Sequence, residues 1–185
     1  EAVEMEMLEL VHPHRIRDSL ILILKERKPI KEIMRIGKLA GFDFISPGLE
    51  VSVKARSLLE AFEKEIAWFN KNYPRRRPLD TWLIYLIGLL DYLDVKVIKK
   101  ISARLGLRKG EEKRLVSYKQ PGCKFIAELS STKIKPSRIF VLLERLSYET
   151  IIALRAKHSS RVFKRNIADF LEIYNGMRIF VSGED

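Results

Sequence analysis

The sequence has little cysteine, glycine or proline and no long apolar run. A single cysteine, Cys123, cannot form an internal disulfide, and no signal-peptide pattern occurs, so we expect a cytoplasmic protein. The longest apolar run, Trp82 to Leu90, is far shorter than the roughly 20 residues of a membrane-spanning helix, which predicts no membrane association. Nine Gly and seven Pro in 185 residues, with 46% hydrophobic residues, favour helices over a loop-rich β fold.

The sequence also lacks the usual patterns of a catalytic site. No Asp-x-Asp pair is present to hold magnesium, and Asp91 and Asp94 are better explained by solubilising and capping roles. His12 and His14 flank a proline and do not match a zinc-binding spacing. No Gly-rich phosphate loop and no nucleophile elbow occur. We therefore predict that this chain alone has no catalytic residue, metal site or cofactor.

Apolar residues recur at helical spacing through most of the chain. This pattern predicts an all-α fold, an irregular bundle of about ten short helices with no substantial sheet. A long helix is expected from about Glu50 to Asn72, and the apolar segment from Thr81 to Leu93 is expected to be buried at the centre of the bundle. Trp68, Phe69 and Trp82 lie in apolar segments, so core packing is favoured over base stacking.

Prolines interrupt the chain after the long helix. Pro74 and Pro78 enclose the triplet Arg75, Arg76 and Arg77, which we interpret as a hinge or exposed turn. This loop predicts a division of the chain into residues 1–73 and 79–185. A strand-like run occurs only in MRIFVSG near the C-terminus and is too short to predict a sheet.

The net charge of +11 is concentrated in the second part of the chain. Residues 1–70 contain 11 basic and 12 acidic residues, whereas residues 71–185 contain 24 basic and 12 acidic residues. Such an excess attracts polyanions, of which nucleic acid is the commonest, with acidic lipid or an acidic protein as competitors. The alternative is a solubilising surface charge without a binding role.

The basic residues of the second part cluster in two stretches, VKVIKKISARLGLRKGEEKR and RAKHSSRVFKR. Their spacing places most of them on exposed helical faces while the intervening apolar residues pack inward. Folded RNA is bound mainly through its phosphates and 2′-hydroxyls, which clustered cations can contact without reading bases. The predicted RNA-binding residues are Lys96, Lys99, Lys100, Arg104, Arg108, Lys109, Lys113, Arg114, Arg155, Lys157, Arg161, Lys164 and Arg165. The alternative for each group is a solvated helix face.

Two segments resemble a known family. The first, LELVHPHRIRDSLILILKERKPIKEIMRIGKLAGFDFISPGL from Leu8 to Leu49, resembles the neck-to-body region of the bacterial tRNA nucleotidyltransferase and poly(A) polymerase family. The second, MRIFVSGED, looks like the Ser/Thr-Gly-Glu-Asp step before that family's last helical tail. The resemblance implies that residues 1–73 form the neck and first helical part of the body, and that residues 79–185 form a basic helical body ending at the start of a tail.

The resemblance also implies a function and a partner. The catalytic head of the family would precede Glu1, so none of its metal-binding or base-selecting residues falls on this sequence, and magnesium with ATP or CTP would be needed only by that head. This chain would then bind tRNA or another RNA and position its 3′ end for nucleotide addition by the head. The alternative is a basic helical protein-interaction module with no role in RNA binding.

Overall fold

The computed structural model describes residues 12–176 as an all-α fold without a strand in that range, which confirms the predicted fold class. The described residues form ten α-helices: α1 Pro13–Leu24, α2 Pro29–Leu39, α3 Val53–Asn72, α4 Thr81–Leu89, α5 Val95–Arg104, α6 Lys109–Lys119, α7 Cys123–Leu129, α8 Pro136–Leu143, α9 Tyr148–Lys157 and α10 Arg161–Glu172. A short 3₁₀ turn, Tyr174–Gly176, follows α10. The strand-like MRIFVSG run and the apolar residues from Val3 to Val11 lie outside the described range.

Local sequence signals account for most helix starts. Prolines, whose fixed φ suits the first helical turn, open three helices at Pro13, Pro29 and Pro136. A serine hydroxyl accepts a hydrogen bond from the backbone amide three residues later at three other helix starts: Ser52, Ser147 and Ser160. Asp94 directly precedes α5 as predicted, but its side chain makes no capping hydrogen bond. Helix α5 is followed by Gly106 at φ +60°, a conformation that favours glycine.

Helix α4 is the centre of the bundle. Every residue from Trp82 to Leu89 is buried, as the apolar sequence predicts. This helix packs against α1, α3, α6 and α9, which together surround it with apolar side chains. The aromatic predictions hold for Phe69 and Trp82, which are buried, whereas Trp68 is only partly buried.

Gly88 allows α3 to lie against α4. A Cβ atom at this position would lie 2.6 Å from Leu59 Cδ2 and 2.8 Å from Phe62 Cε2, and both of these side chains are fully buried. We expect Gly88→Ala to lower the free energy of unfolding by about 1–3 kcal/mol, because overpacking outweighs the helix propensity gained. Urea denaturation measures this difference.

Gly110 is the matched control for this substitution. It also lies in a helix, α6, but a Cβ atom there would meet no other atom within 4 Å. We expect Gly110→Ala to raise the free energy of unfolding by up to about 1 kcal/mol. If Gly88→Ala were as stable as the wild type, the close packing of α3 on α4 would be contradicted.

The loop at residues 74–78 forms polar contacts with the second part of the chain. The guanidinium of Arg76 donates a hydrogen bond to the Leu171 carbonyl at 2.8 Å, and Arg77 forms an ion pair with Glu149. Helix α3 packs directly against α9, and buried residues from both sides of the loop belong to one apolar cluster. The division at this loop stays a prediction, and the core runs continuously past it.

No helix in the range 12–176 is long and apolar enough to cross a membrane.

Candidate nucleic-acid interface

Helix α5 carries a row of exposed cations. Its apolar face buries Ile98 and Ile101 against the core. The opposite face exposes four of the predicted RNA-binding side chains: Lys96, Lys99, Lys100 and Arg104. Because Lys96, Lys100 and Arg104 follow one another at intervals of four residues, they lie along one line of the helix surface.

The residue before α6 and the first two helical turns of α6 carry further exposed cations. Arg108, Lys109 and Lys113 are all exposed. Helix α6 packs against α5, and Lys99 of α5 lines one groove together with Lys109 and Lys113 of α6. We call this set the α5–α6 basic surface and define it by seven residues: Lys96, Lys99, Lys100, Arg104, Arg108, Lys109 and Lys113.

Arg114 of α6 has a different environment from its neighbours. Its guanidinium forms a close ion pair with Asp80 and lies 3.4 Å from the Glu149 carboxylate. Burial disfavours the charged form of Arg114, but the two carboxylates raise its pKa overall. Arg114 therefore connects α6 to α9 and to the start of α4.

Glu149 is the centre of this buried ion cluster. Its side chain has no exposed surface, and its carboxylate accepts two hydrogen bonds from Arg77, at 2.8 and 3.0 Å. The Asp80 backbone amide donates another at 3.0 Å. Burial alone would raise the pKa of Glu149, but the hydrogen bonds from backbone amides and from Arg77 outweigh it and lower the pKa.

A second buried cluster binds two more of the predicted residues. Glu65 of α3 forms ion pairs with Arg155 and, at 2.6 Å, with Lys164. The guanidinium of Arg155 also lies 3.4 Å from the centre of the Trp68 ring. Burial lowers the pKa of Arg155 to about 10, which leaves it charged at neutral pH. These two cations hold α9 and α10 on α3.

Lys157 also has an internal partner. Its ammonium lies 2.6 Å from a carboxylate oxygen of Asp91, which accepts a hydrogen bond from the Tyr118 hydroxyl as well. Asp91 thus pairs with α6 and α9, beyond the solubilising or capping role that its sequence position suggested. Arg161 and Arg165, in contrast, are exposed along one line of α10.

The structure therefore separates the predicted cations into two groups. Arg114, Arg155, Lys157 and Lys164 form ion pairs with carboxylates of the same chain. The seven residues of the α5–α6 basic surface, with Arg161 and Arg165, are exposed and have no carboxylate within 4.0 Å among residues 12–176. Only this second group has its full charge available to an external anion.

A groove beside this surface contains a cation that the sequence reasoning missed. The groove has a volume of about 580 Å³ and lies between α5, α6 and the turn from α8 to α9. Lys99, Lys109 and Lys113 line it together with Arg145, whose side chain is 89% exposed. Arg145 stands alone between Glu144 and Leu146, so no local sequence pattern connects it to the lysines.

The described part of the chain contains no group of side chains that could hold a metal ion. Among residues 12–176, no three His, Cys, Asp or Glu side chains lie close enough together to hold a metal ion. His12 and His14 stack with ring centres 5.0 Å apart, and the His12 ring accepts a hydrogen bond from the His14 amide. His12 therefore caps the start of α1.

Comparison with known proteins supports the resemblance to a known family. No protein-family model matches the chain. Over 190 residues, the chain is 26% identical to the A-adding tRNA nucleotidyltransferase of Geobacter sulfurreducens, a match that covers 100% of this chain. The resemblance to the tRNA nucleotidyltransferase family is confirmed. The match covers only 21% of the Geobacter enzyme, and this chain is similar to a body or tail region of that family.

Solved structures of tRNA-processing and CCA-adding enzymes share the fold. A tRNA-processing enzyme in an apo form superimposes with a TM-score of 0.78 at 20% identity, over 96% of this chain and 46% of that one. The CCA-adding enzyme of Thermotoga maritima, solved in complex with tRNA, gives a TM-score of 0.71 at 23% identity, over 92% of this chain and 41% of that one. The chain thus spans less than half the length of each of these proteins.

Proposed function

We propose that this chain is the RNA-holding helical body of a tRNA nucleotidyltransferase-type enzyme. It binds tRNA, or another folded RNA, through the phosphate backbone and positions the 3′ end for nucleotide addition by a catalytic head. The observation that supports this proposal is the set of seven exposed cations on α5 and α6, which have no carboxylate within 4.0 Å among residues 12–176. Magnesium and ATP or CTP would be used by the head, and the cytoplasm is the compartment in which we expect this activity.

In this proposal, the chain binds RNA mainly by electrostatic attraction. Each cation that neutralises a phosphate releases a condensed counterion from the RNA, so affinity comes mainly from charge. A line of cations spaced about one helical turn apart can contact successive phosphates along a strand. No base-reading motif is required for such binding, because the overall shape of a folded RNA selects the site.

Two further observations support the proposal. A fold relative, the Thermotoga CCA-adding enzyme, was solved in complex with tRNA. The buried clusters around Glu149 and Glu65 join α3, α4, α6, α9 and α10 into a rigid support, which a positioning role requires.

A salt series tests this function. We expect the chain to bind tRNA with an affinity that falls log-linearly with salt, by about 10³-fold or more between 50 and 200 mM if six or more phosphates are neutralised. Fluorescence anisotropy with labelled tRNA and with an unstructured RNA of the same length measures both affinities. Binding to tRNA should be tighter, because only the folded RNA presents the matching shape.

A protein-interaction module would behave differently. Its affinity for a partner would depend on apolar contacts and would change little with salt. Absence of tRNA binding even at the lowest salt would contradict the proposed function and favour this alternative.

A further inference from the structure

The groove between α5, α6 and the α8–α9 turn brings together cations from three separate segments. Lys99 comes from α5, Lys109 and Lys113 come from α6, and Arg145 comes from the turn before α9. Like charges that converge in a concave site repel one another, and a bound anion would relieve this repulsion. The field of the four cations is also stronger inside the groove than on a convex surface.

Few carboxylates oppose these cations. Among residues 12–176, Glu112 is the only acidic residue that lines the groove. Arg145 has a neighbouring partner in Glu144, but their closest atoms are 3.8 Å apart and the Arg145 side chain is 89% exposed, so this ion pair is weak. The groove therefore has a net positive charge and includes an arginine whose side chain is largely exposed.

The remaining lining suits a sugar–phosphate unit. Val116 and Leu146 form an apolar floor that packs against the core, and Gln120 supplies an amide that can donate to or accept from a hydroxyl. The volume of about 580 Å³ falls within the range of small-ligand sites. A surface lysine row alone provides neither the apolar floor nor the amide.

We propose that this groove binds one ribose–phosphate unit of the RNA backbone and that Arg145 anchors the phosphate. Arginine can donate two parallel hydrogen bonds to phosphate oxygens, while Lys109 and Lys113 add point charges. The inference rests on the proposed function and assigns one phosphate site to a residue outside the two basic stretches.

Three variants of the full chain test this inference by tRNA titration. Arg145→Gln is expected to weaken tRNA binding by about 10-fold or more, because a charge-assisted bidentate contact is lost. Arg145→Lys is expected to recover only a small part of this loss, since lysine keeps the charge but not the paired donors. The control, Arg35→Gln on α2, removes another exposed arginine with an equally loose ion pair, 3.9 Å from Glu32, and should change affinity less than about twofold.

The outcomes separate the inference from the function on which it rests. If tRNA binds but Arg145→Gln weakens it no more than Arg35→Gln does, the groove site is refuted while the RNA-holding function stands. Full recovery in Arg145→Lys would also refute the anchoring role, since net charge alone would then suffice. If the wild type binds no tRNA, the function and the site fail together.

Discussion

Replacing Glu149 by alanine is expected to lower the free energy of unfolding by about 3–5 kcal/mol. The carboxylate is fully buried and is contacted by Arg77, by Arg114 and by the Asp80 backbone amide. Its removal leaves the Asp80 backbone amide without its acceptor and takes from Arg77 and Arg114 the fully buried carboxylate that they share, although both still contact the Asp80 side chain. Urea denaturation of both proteins measures the difference.

A surface glutamate provides the control. Glu60 forms an ion pair with Arg56 one turn away on α3, and both side chains are about half exposed. Glu60→Ala should cost no more than about 0.5 kcal/mol, as is typical of an exposed pair. Equal effects of the two substitutions would contradict the view that the Glu149 cluster connects α4, α6, α9 and the loop at residues 74–78.

The Glu149 cluster should also produce a pH dependence. The pKa of Glu149 is lowered in the folded state from an ordinary value of 4.5. Its charge therefore stabilises the fold fully above about pH 4.5, and this contribution is lost as the pH falls through the lower folded pKa. The stability advantage of the wild type over Glu149→Gln should be constant above this range and shrink below it. If the stability advantage of the wild type over Glu149→Gln increased at acidic pH, the lowered pKa of Glu149 would be contradicted.

Much of the helical layout follows from local sequence. Prolines at the first positions of α1, α2 and α8 and serines before α3, α9 and α10 predict where helices begin. The apolar run from Trp82 onward predicts a fully buried helix, since a helix with no polar face must be surrounded. These features depend on residues that are close together in the chain, so they can be recognised from the sequence alone.

The availability of each cation could not be predicted in this way. Lys164 and Arg165 are adjacent in the sequence, yet Lys164 pairs with Glu65 on α3, 99 residues away, while Arg165 is exposed. Arg145 joins three lysines only because the α8–α9 turn lies beside α6 in the fold. Charge counts identify the basic half of the chain, but long-range ion pairs decide which cations remain available to RNA.

Reversing three charges on α5 should cause the largest loss of RNA binding. Lys96, Lys100 and Arg104 lie along one exposed line and have no carboxylate partner among the described residues. The variant Lys96→Glu/Lys100→Glu/Arg104→Glu removes about three charge-assisted phosphate contacts and adds repulsion, so we expect at least about 10³-fold weaker tRNA binding. Stability should change little, because all three side chains are exposed.

A tRNA titration of two triple variants tests whether the α5–α6 basic surface holds folded RNA. The matched control is Lys31→Glu/Arg35→Glu/Lys38→Glu on α2, which makes the same change in net charge at three exposed positions in the charge-balanced half of the chain. We expect the α5 variant to lose tRNA binding and the α2 variant to keep most of its affinity for tRNA. Equal losses in the two variants, or unchanged binding by the α5 variant, would contradict this expectation.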